Sequence, residues 1–162
     1  VYREVLRLLR AAASSGCWPG FSKGRAKVVR TASWTGRTDA NGVSTASTGD
    51  VRGSFSLGRM PPHLEQPSAN QTFPNLMREA FELEQKLMPE RPPSSTIAVN
   101  RSAQFLPHLD SGAGAGQGIS LIVGLGNYSG GELLVEGVSH DIRYKPLEFK
   151  GWEERHWTAP FE

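Results

Sequence analysis

The spacing of apolar residues predicts two helices in the first part of the chain. Over Val1–Ala13, apolar side chains recur every three or four positions with arginines between them, which is typical of an amphipathic helix. A second helix is predicted over Pro74–Leu87, where leucines, a methionine and a phenylalanine form one apolar face. The glutamates of this segment, Glu84 among them, are expected to form its solvent-exposed face. Prolines after the segment end the helix.

Elsewhere the apolar and polar positions alternate with a period of two, which predicts short strands. The predicted strands are residues 26–31, 54–57, 96–100, 104–110, 119–124, 132–136 and 142–144, with a last short one at Trp157. Residues 36–53 are rich in Gly, Ser and Thr and are expected to form a loop, as are residues 63–73. Short strands separated by glycine-rich turns predict a mainly β fold with flanking helices, of the sandwich or small-barrel type.

The composition indicates one ordinary globular domain. With 162 residues, of which 38% are hydrophobic and 21% charged, the chain is long enough for a single core and too apolar for a disordered protein. No run of about 18 apolar residues occurs, which predicts that the chain has no membrane-spanning helix and no membrane partner. The single cysteine, Cys17, excludes an internal disulfide and a thiolate cluster. It favours a reducing, intracellular compartment, either nuclear or cytoplasmic.

Positive charge is concentrated in the N-terminal part of the chain. Residues 1–60 contain ten Lys or Arg against three Asp or Glu, a balance of +7 (10 − 3), whereas residues 61–162 contain eight against thirteen, a balance of −5 (8 − 13). Clustered basic residues are the electrostatic signature of a nucleic-acid partner. Solvated surface charges are the alternative, because no block of five or six consecutive like charges occurs.

The candidate chemistry begins with a His-x-Asp pair. His108 and Asp110 are two positions apart on a predicted strand, so their side chains project from the same face and can reach one ion. A second histidine on a returning strand would complete two imidazoles and one carboxylate, the ligand set of non-haem Fe(II) oxygenases. The pair alone is a weak signal, because short motifs recur by chance.

The glycine-rich run that follows, Gly112–Gly118, leads into a strand rather than a helix, so we interpret it as a flexible hairpin and not a phosphate loop.

Further segments extend the pair into a longer pattern. They are Asn100-Arg101, Pro107-His108-Leu109-Asp110-Ser111-Gly112, Ser120–Gly126, Tyr128-Ser129-Gly130-Gly131-Glu132-Leu133 and Gly151–Phe161. Together these segments resemble the core of the 2-oxoglutarate/Fe(II) dioxygenases. Within that superfamily, residues 96–162 are most similar to the branch of the ten-eleven-translocation and base-J-binding (TET/JBP) nucleobase oxygenases and their algal and fungal relatives. The resemblance implies a double-stranded β-helix (jelly-roll or cupin-like) core over residues 96–162, with residues 1–95 as a helical and loop region that supports the same domain.

The resemblance also implies the metal ligands. His108, Asp110 and His156 are expected to bind Fe(II), with 2-oxoglutarate and O2 as cosubstrates and ascorbate as a candidate reductant. His156 lies in the segment that matches the family's distal histidine, whereas His140 follows a predicted strand and is interpreted as a turn residue. His140 remains the alternative distal ligand.

The far carboxylate of 2-oxoglutarate requires a cation, which in the family follows the distal histidine. No Arg or Lys lies between His156 and Glu162, so we expect this cation, and the last strands of an incomplete core, to lie beyond Glu162. The chain up to Glu162 is therefore expected to bind 2-oxoglutarate poorly and to turn over little or nothing. Within the chain, Asn100 is a candidate polar contact to the oxo-acid and Arg143 a candidate substitute cation. The start at Val1 rather than methionine leads us to expect a fragment of a longer protein, without its targeting signals.

Three functions fit these residues. The first is oxidation of a C–H bond on a modified nucleobase, a methylpyrimidine, which the resemblance and the basic residues 1–60 support; base flipping would use stacking aromatics such as Trp18, Phe21 or Trp34. The second is hydroxylation of prolyl, lysyl or asparaginyl side chains in protein, which the same core would support. The third is a non-catalytic binding domain, and the intact His-x-Asp and distal His argue against it.

Overall fold

A computed structural model describes residues 1–29, 52–61, 63–110 and 118–162. Over these ranges the chain combines helices with short antiparallel strands. In order, the elements are α1 (Arg3–Ser14), α2 (Lys23–Ala26), β1 (Gly53–Gly58), α3 (Ala69–Thr72), α4 (Pro74–Leu87), β2 (Thr96–Arg101), β3 (Ser120–Ile122), β4 (Leu133–Val135), β5 (Val138–His140), β6 (Leu147–Phe149) and β7 (His156–Thr158). None of the helices in the described ranges is long and apolar enough to cross a bilayer.

The helices pack on one sheet to form the first of two hydrophobic clusters. α1 and α4 contact each other, and α4 begins with Pro74 at a position where its missing N–H is not needed. β1 pairs with β2 in antiparallel register from Gly53 opposite Arg101 to Gly58 opposite Thr96. Leu57 of β1 is fully buried at the centre of this cluster. The β1–β2 pair joins residues on both sides of the expected boundary at residues 95 and 96, so residues of both parts contribute to this cluster.

The second cluster lies between two smaller sheets. β3 pairs with β6, and β4 pairs with both β5 and β7, in all cases antiparallel. The β4–β5 hairpin turns at Glu136 and Gly137, which both have positive φ (49° and 82°), as a two-residue hairpin turn requires. Apolar residues of these strands and of the connection between β5 and β6 pack together, namely Leu133, Val135, Ile142 and Phe149 with Ile122 and Leu147.

Several sequence predictions are confirmed at this level. The helices near the start and over Pro74–Leu87 are present, the second with the same bounds. The strands predicted at residues 54–57, 96–100, 119–124 and 132–136 and at Trp157 correspond to β1, β2, β3, β4 and β7. The mixed character of the fold, helices with antiparallel strands, is therefore confirmed.

The strand predicted at residues 26–31 is wrong in its first half. The Ser22 side chain accepts a hydrogen bond from the Arg25 backbone N–H at 3.2 Å, and this cap favours a helical turn, α2, over an extended start. Further along, Val29 forms only an isolated bridge, with Phe105. The rest of the predicted strand lies outside the described residues.

Two other predicted strands are reduced to isolated bridges. Over residues 104–110, Phe105 and His108 each make one bridge, because Pro107 between them has no N–H to donate to a ladder. Over residues 142–144, only Arg143 makes a bridge, in parallel register with Gly124. The strands β5 and β6 on either side of this segment were not predicted.

The loop predictions have mixed outcomes. Residues 63–73 contain a short helix, α3, and only the end of the 36–53 segment lies within the described residues, where Gly53 begins β1. The glycine run Gly112–Gly118 also lies outside them, except for its last residue. The expectation that Glu84 faces solvent is wrong, because this side chain is buried in an ion pair with Arg91.

Candidate metal centre

Two backbone segments bring the predicted ligands together. The segment around His108 runs antiparallel beside β7, and His108 and His156 exchange both backbone N–H···O hydrogen bonds at 3.1 Å. A further hydrogen bond, from the Thr158 N–H to the Phe105 carbonyl, extends the pairing. This pairing places both imidazoles on neighbouring segments of one sheet, far apart in sequence and adjacent in space.

The three side chains converge on one point. His108, Asp110 and His156 each offer a ligand atom, and these atoms lie within 4.8 Å of one another. Asp110 Oδ1 is 3.5 Å from His108 Nε2 and 3.4 Å from His156 Nε2. The two imidazole rings are 4.4 Å apart between centroids. Two nitrogens and one carboxylate oxygen at such separations can share a single divalent ion without a large movement.

The Nδ1 atom of each imidazole, which points away from the centre, forms a hydrogen bond with a backbone carbonyl. His108 Nδ1 lies 2.7 Å from the Leu106 carbonyl oxygen, and His156 Nδ1 lies 2.9 Å from the Glu154 carbonyl oxygen. A carbonyl only accepts, so each Nδ1 carries the hydrogen and each Nε2 keeps its lone pair directed at the centre. Metal-binding histidines in proteins are oriented in this way. The donor set therefore fits a divalent metal ion.

Asp110 is positioned by the connection between β6 and β7. Its backbone N–H donates to the Gly151 carbonyl at 2.8 Å, and Gly151 is itself buried. A Cβ at Gly151 would collide with Asp110 Oδ2, so the absence of a side chain at this position leaves room for the carboxylate. Gly151 has no positive φ, which means that space and not backbone conformation favours glycine here.

The centre is more buried on the His156 side than on the Asp110 side. Relative side-chain exposure is 7% for His156, 16% for His108 and 33% for Asp110. Phe149 packs edge-on against His156, with 4.8 Å between ring centroids, and Phe105 lies 5.8 Å from His108. The phenylalanines give the centre two apolar sides, and the carboxylate faces the opening.

Burial by itself lowers the pKa of His156, but the hydrogen bonds to the Asp110 carboxylate and to the Glu154 carbonyl raise it by more. The negative charge of Asp110 adds to this effect, so the pKa of His156 lies above its ordinary value. Below this raised pKa, a proton on Nε2 occupies the position where a metal ion would bind.

The other predicted site residues are distributed differently. Asn100 is exposed on β2 and lines the same broad open cavity as the three ligands. Arg143 does not line this cavity; its guanidinium donates to the Tyr128 carbonyl at 2.6 Å and lies over the Tyr128 ring. His140 belongs to β5, opposite Leu133, and not to the ligand group.

Gly151 and Arg25 were not singled out by the sequence analysis. Gly151 carries no signal beyond its place in the distal-histidine segment, because a close backbone approach leaves no hydrophobic pattern. Arg25 lines the cavity, with its guanidinium 5.5 Å from the Phe105 ring centroid. The basic character of residues 1–60 was the only sequence signal for it.

No protein-family model, curated protein or solved structure matches this chain. The function is therefore inferred from the chemistry of the centre formed by His108, Asp110 and His156.

Proposed function

We propose that this chain is an Fe(II)- and 2-oxoglutarate-dependent oxygenase that oxidises a C–H bond, with His108, Asp110 and His156 as the iron ligands. The observation that carries the proposal is the convergence of two Nε2 atoms and one carboxylate within 4.8 Å, with both Nδ1 atoms held by backbone carbonyls. Two imidazoles and one carboxylate on one side of the ion leave coordination positions open, which distinguishes this ligand set from a closed structural site.

A double-stranded β-helix core is part of the proposal. Its support is the arrangement of the small sheets around one cavity. The β5-β4-β7 sheet is extended at β7 by the segment that carries His108, and the β3–β6 pair is a second antiparallel unit. Residues of both units line the cavity, as two facing sheets of a jelly-roll barrel would.

When bound, Fe(II) in such a ligand set supplies a site for an oxo-acid and O2 and thereby oxidising power for a C–H bond. The chain's residues do the remaining work. The Leu106 and Glu154 carbonyls keep both imidazoles in the tautomer that binds metal. Phe105 and Phe149 exclude water from two sides of the centre. Asn100, on the cavity side, is proposed as a polar contact to the oxo-acid.

We propose a modified nucleobase, a methylpyrimidine in nucleic acid, as the substrate. The support is the position of the basic residues Lys23, Arg25 and Lys27 in and beside α2. The segment that follows α2 is tied to the metal-binding segment, by which we mean the segment that carries His108 and Asp110. The Leu106 N–H of that segment donates to the Val28 carbonyl at 2.6 Å. Lys23 and Lys27 are exposed and available to phosphates near the centre.

Metal binding is the first test. Calorimetric titration with Mn(II), which replaces Fe(II) without redox chemistry, should show one site in the unaltered chain. Asp110→Ala and His156→Ala should each weaken binding at least about tenfold, since each removes a ligand. His140→Ala is the matched control, because His140 lies outside the group. Undiminished binding in both ligand variants would refute the assignment, and loss in His140→Ala alone would move the distal ligand.

Turnover is the second test. Release of CO2 and succinate by the purified chain with Fe(II), ascorbate and 2-oxoglutarate, even if slow, should be faster with an oligonucleotide that contains 5-methylcytosine than with one that contains cytosine. Peptides that present Pro, Lys or Asn are the comparison for the alternative substrate class. Stimulation by a peptide and not by the oligonucleotide would assign the activity to protein side-chain hydroxylation.

A further inference from the structure

The cavity around the centre contains few cations that could meet an anionic ligand. Among the described residues, the basic side chains that line it are arginines, namely Arg10, Arg25, Arg91 and Arg101. Arg91 already forms ion pairs with Glu84 and Glu148, both at 3.2 Å. Arg101 lies over the Trp18 ring at the end of β2. Arg10 belongs to α1, which packs against α4.

Arg25 differs from these arginines in being linked to the metal ligands. Its guanidinium lies 5.5 Å from the centroid of Phe105, and the Phe105 ring lies 5.8 Å from that of His108. Arg25 is half-buried, and no carboxylate of the described residues forms an ion pair with it. The Val29–Phe105 bridge holds its segment against the metal-binding segment.

We propose that Arg25 binds the far carboxylate of the oxo-acid whose other end occupies the metal centre. This inference rests on the proposed function and names the cation for the oxo-acid among the described residues. A divalent ion with Asp110 as its one charged ligand attracts the first carboxylate of a dianion, and the second carboxylate then requires its own cation. The planar guanidinium of Arg25 can bind that carboxylate through two parallel N–H···O bonds.

Arg143, the candidate from the sequence, is a weaker choice for this role. Its guanidinium is occupied by the Tyr128 carbonyl and ring, and it does not line the cavity that contains the ligands. Arg25 lines that cavity together with His108, Asp110 and His156.

The test compares two oxo-acids that differ only at the far end. 2-Oxopentanoate has the metal-binding end of 2-oxoglutarate but a methyl group in place of the far carboxylate. Both are titrated into Mn(II)-loaded protein, with affinity read by calorimetry. The unaltered chain should bind 2-oxoglutarate at least about tenfold more tightly, as a charge-assisted contact implies. In Arg25→Gln this preference should disappear, while Arg25→Lys should keep part of it because the charge remains.

Lys86→Gln is the control, since it removes one positive charge at an exposed position of α4 that does not line the cavity. The control should keep the preference for 2-oxoglutarate, and Mn(II) affinity should be unchanged in Arg25→Gln. A preference that survives in Arg25→Gln, or that disappears in Arg143→Gln instead, would overturn the assignment to Arg25. Failure of the unaltered chain to bind Mn(II) would overturn the proposed function and this inference together.

Discussion

At the scale of single residues, the centre depends on how closely the backbone approaches the Asp110 carboxylate. Gly151 offers no ligand atom, yet the absence of a side chain at this position leaves the space that Asp110 Oδ2 occupies. We expect Gly151→Ala to displace the carboxylate and to weaken Mn(II) binding about tenfold or more, as changes behind a metal ligand do. The overpacked methyl group should also lower the free energy of unfolding by about 1–3 kcal/mol. Calorimetry and urea unfolding measure the two effects.

Gly118→Ala is the matched control for this change. A Cβ at Gly118 meets nothing within 4 Å, and its φ is not positive, so the same substitution adds a methyl group without a collision. Mn(II) affinity should be unchanged in this variant. Equal losses in both variants would show that the effect of Gly151→Ala is not due to contact with Asp110.

The raised pKa of His156 makes metal binding dependent on pH. Because Asp110 and the Glu154 carbonyl stabilise the protonated ring, the pKa of His156 lies above its ordinary value of about 6.5. Below that raised pKa, a proton competes with the metal ion for Nε2. The affinity for Mn(II) should therefore rise as pH increases from 6 to 8, measured by calorimetry at fixed ionic strength. A flat profile would contradict this account of His156.

In the metal-free chain, the same pKa shift makes the stability of the fold decrease as pH rises, whereas the affinity for metal increases. A folded-state pKa above the unfolded value contributes stability that is fully present below the unfolded pKa and is lost as pH rises through the folded one. Metal-free protein should thus lose the His156 contribution as pH rises through the raised pKa, whereas stabilisation by bound Mn(II) should grow over the same rise. Urea unfolding with and without Mn(II) at pH 6 and at pH 8 distinguishes the two trends.

The three residues of the candidate metal centre were predictable from the sequence, and the groups that hold them in place were not. Spacing and resemblance identified His108, Asp110 and His156, and the structure brings their ligand atoms together. The carbonyls that orient the imidazoles belong to Leu106 and Glu154, and a backbone group has no side-chain signature. Such contacts follow from how β7 pairs with a distant segment, which single-sequence patterns do not contain.

At the scale of elements, α4 is anchored to the small sheets through one buried ion pair. Glu84 is 6% exposed, accepts from Arg91 at 3.2 Å and also accepts hydrogen bonds from the Ser94 hydroxyl and N–H. Arg91 then donates to the Ile119 carbonyl beside β3 and to Glu148 of β6. The β3–β6 pair, which leads into Gly151, is therefore tied to the helix by this network.

Glu84→Ala should destabilise the fold by about 3 kcal/mol, because it leaves the nearly buried Arg91 without its buried charge partner. Urea unfolding followed by circular dichroism measures the change. Glu82→Ala is the matched control, since Glu82 is exposed on the same helix and should change stability by no more than about 0.5 kcal/mol. Similar losses in both variants would indicate a helix-propensity effect and not a broken ion pair.

Glu84 also shows where element prediction from sequence fails. The periodicity over Pro74–Leu87 gave the correct helix, because apolar spacing depends on local geometry alone. The burial of Glu84 depends on Arg91 folding back after the helix, which no periodicity contains. The strand prediction for residues 104–110 failed for a related reason. Alternation predicts a strand, but Pro107 interrupts the ladder, and only tertiary pairing with β7 fixes the segment.

At the scale of the whole molecule, three separate stretches of chain meet at the cavity. Three stretches that are distant in sequence, the basic segment around α2, the segment that carries His108 and Asp110, and β7, are joined by the Val29–Phe105 and His108–His156 bridges. The lysines of the basic segment therefore lie beside the segment that carries His108 and Asp110. An anionic polymer held by these lysines would lie close to the centre, which is the geometry that the proposed function requires.

This arrangement predicts a salt-dependent interaction with single-stranded nucleic acid. If Lys23 and Lys27 each neutralise a phosphate, the double variant Lys23→Gln/Lys27→Gln should reduce the magnitude of the slope of log K against log salt by about 1.4, at about 0.7 per contact. Fluorescence anisotropy of a labelled oligonucleotide over a salt series measures the slope. The control Lys86→Gln/Lys145→Gln removes equal charge from exposed sites away from α2 and should leave the slope nearly unchanged. Equal reductions in both variants would reveal attraction by net charge alone, and a salt-independent signal would rule out phosphate contacts and favour a protein substrate.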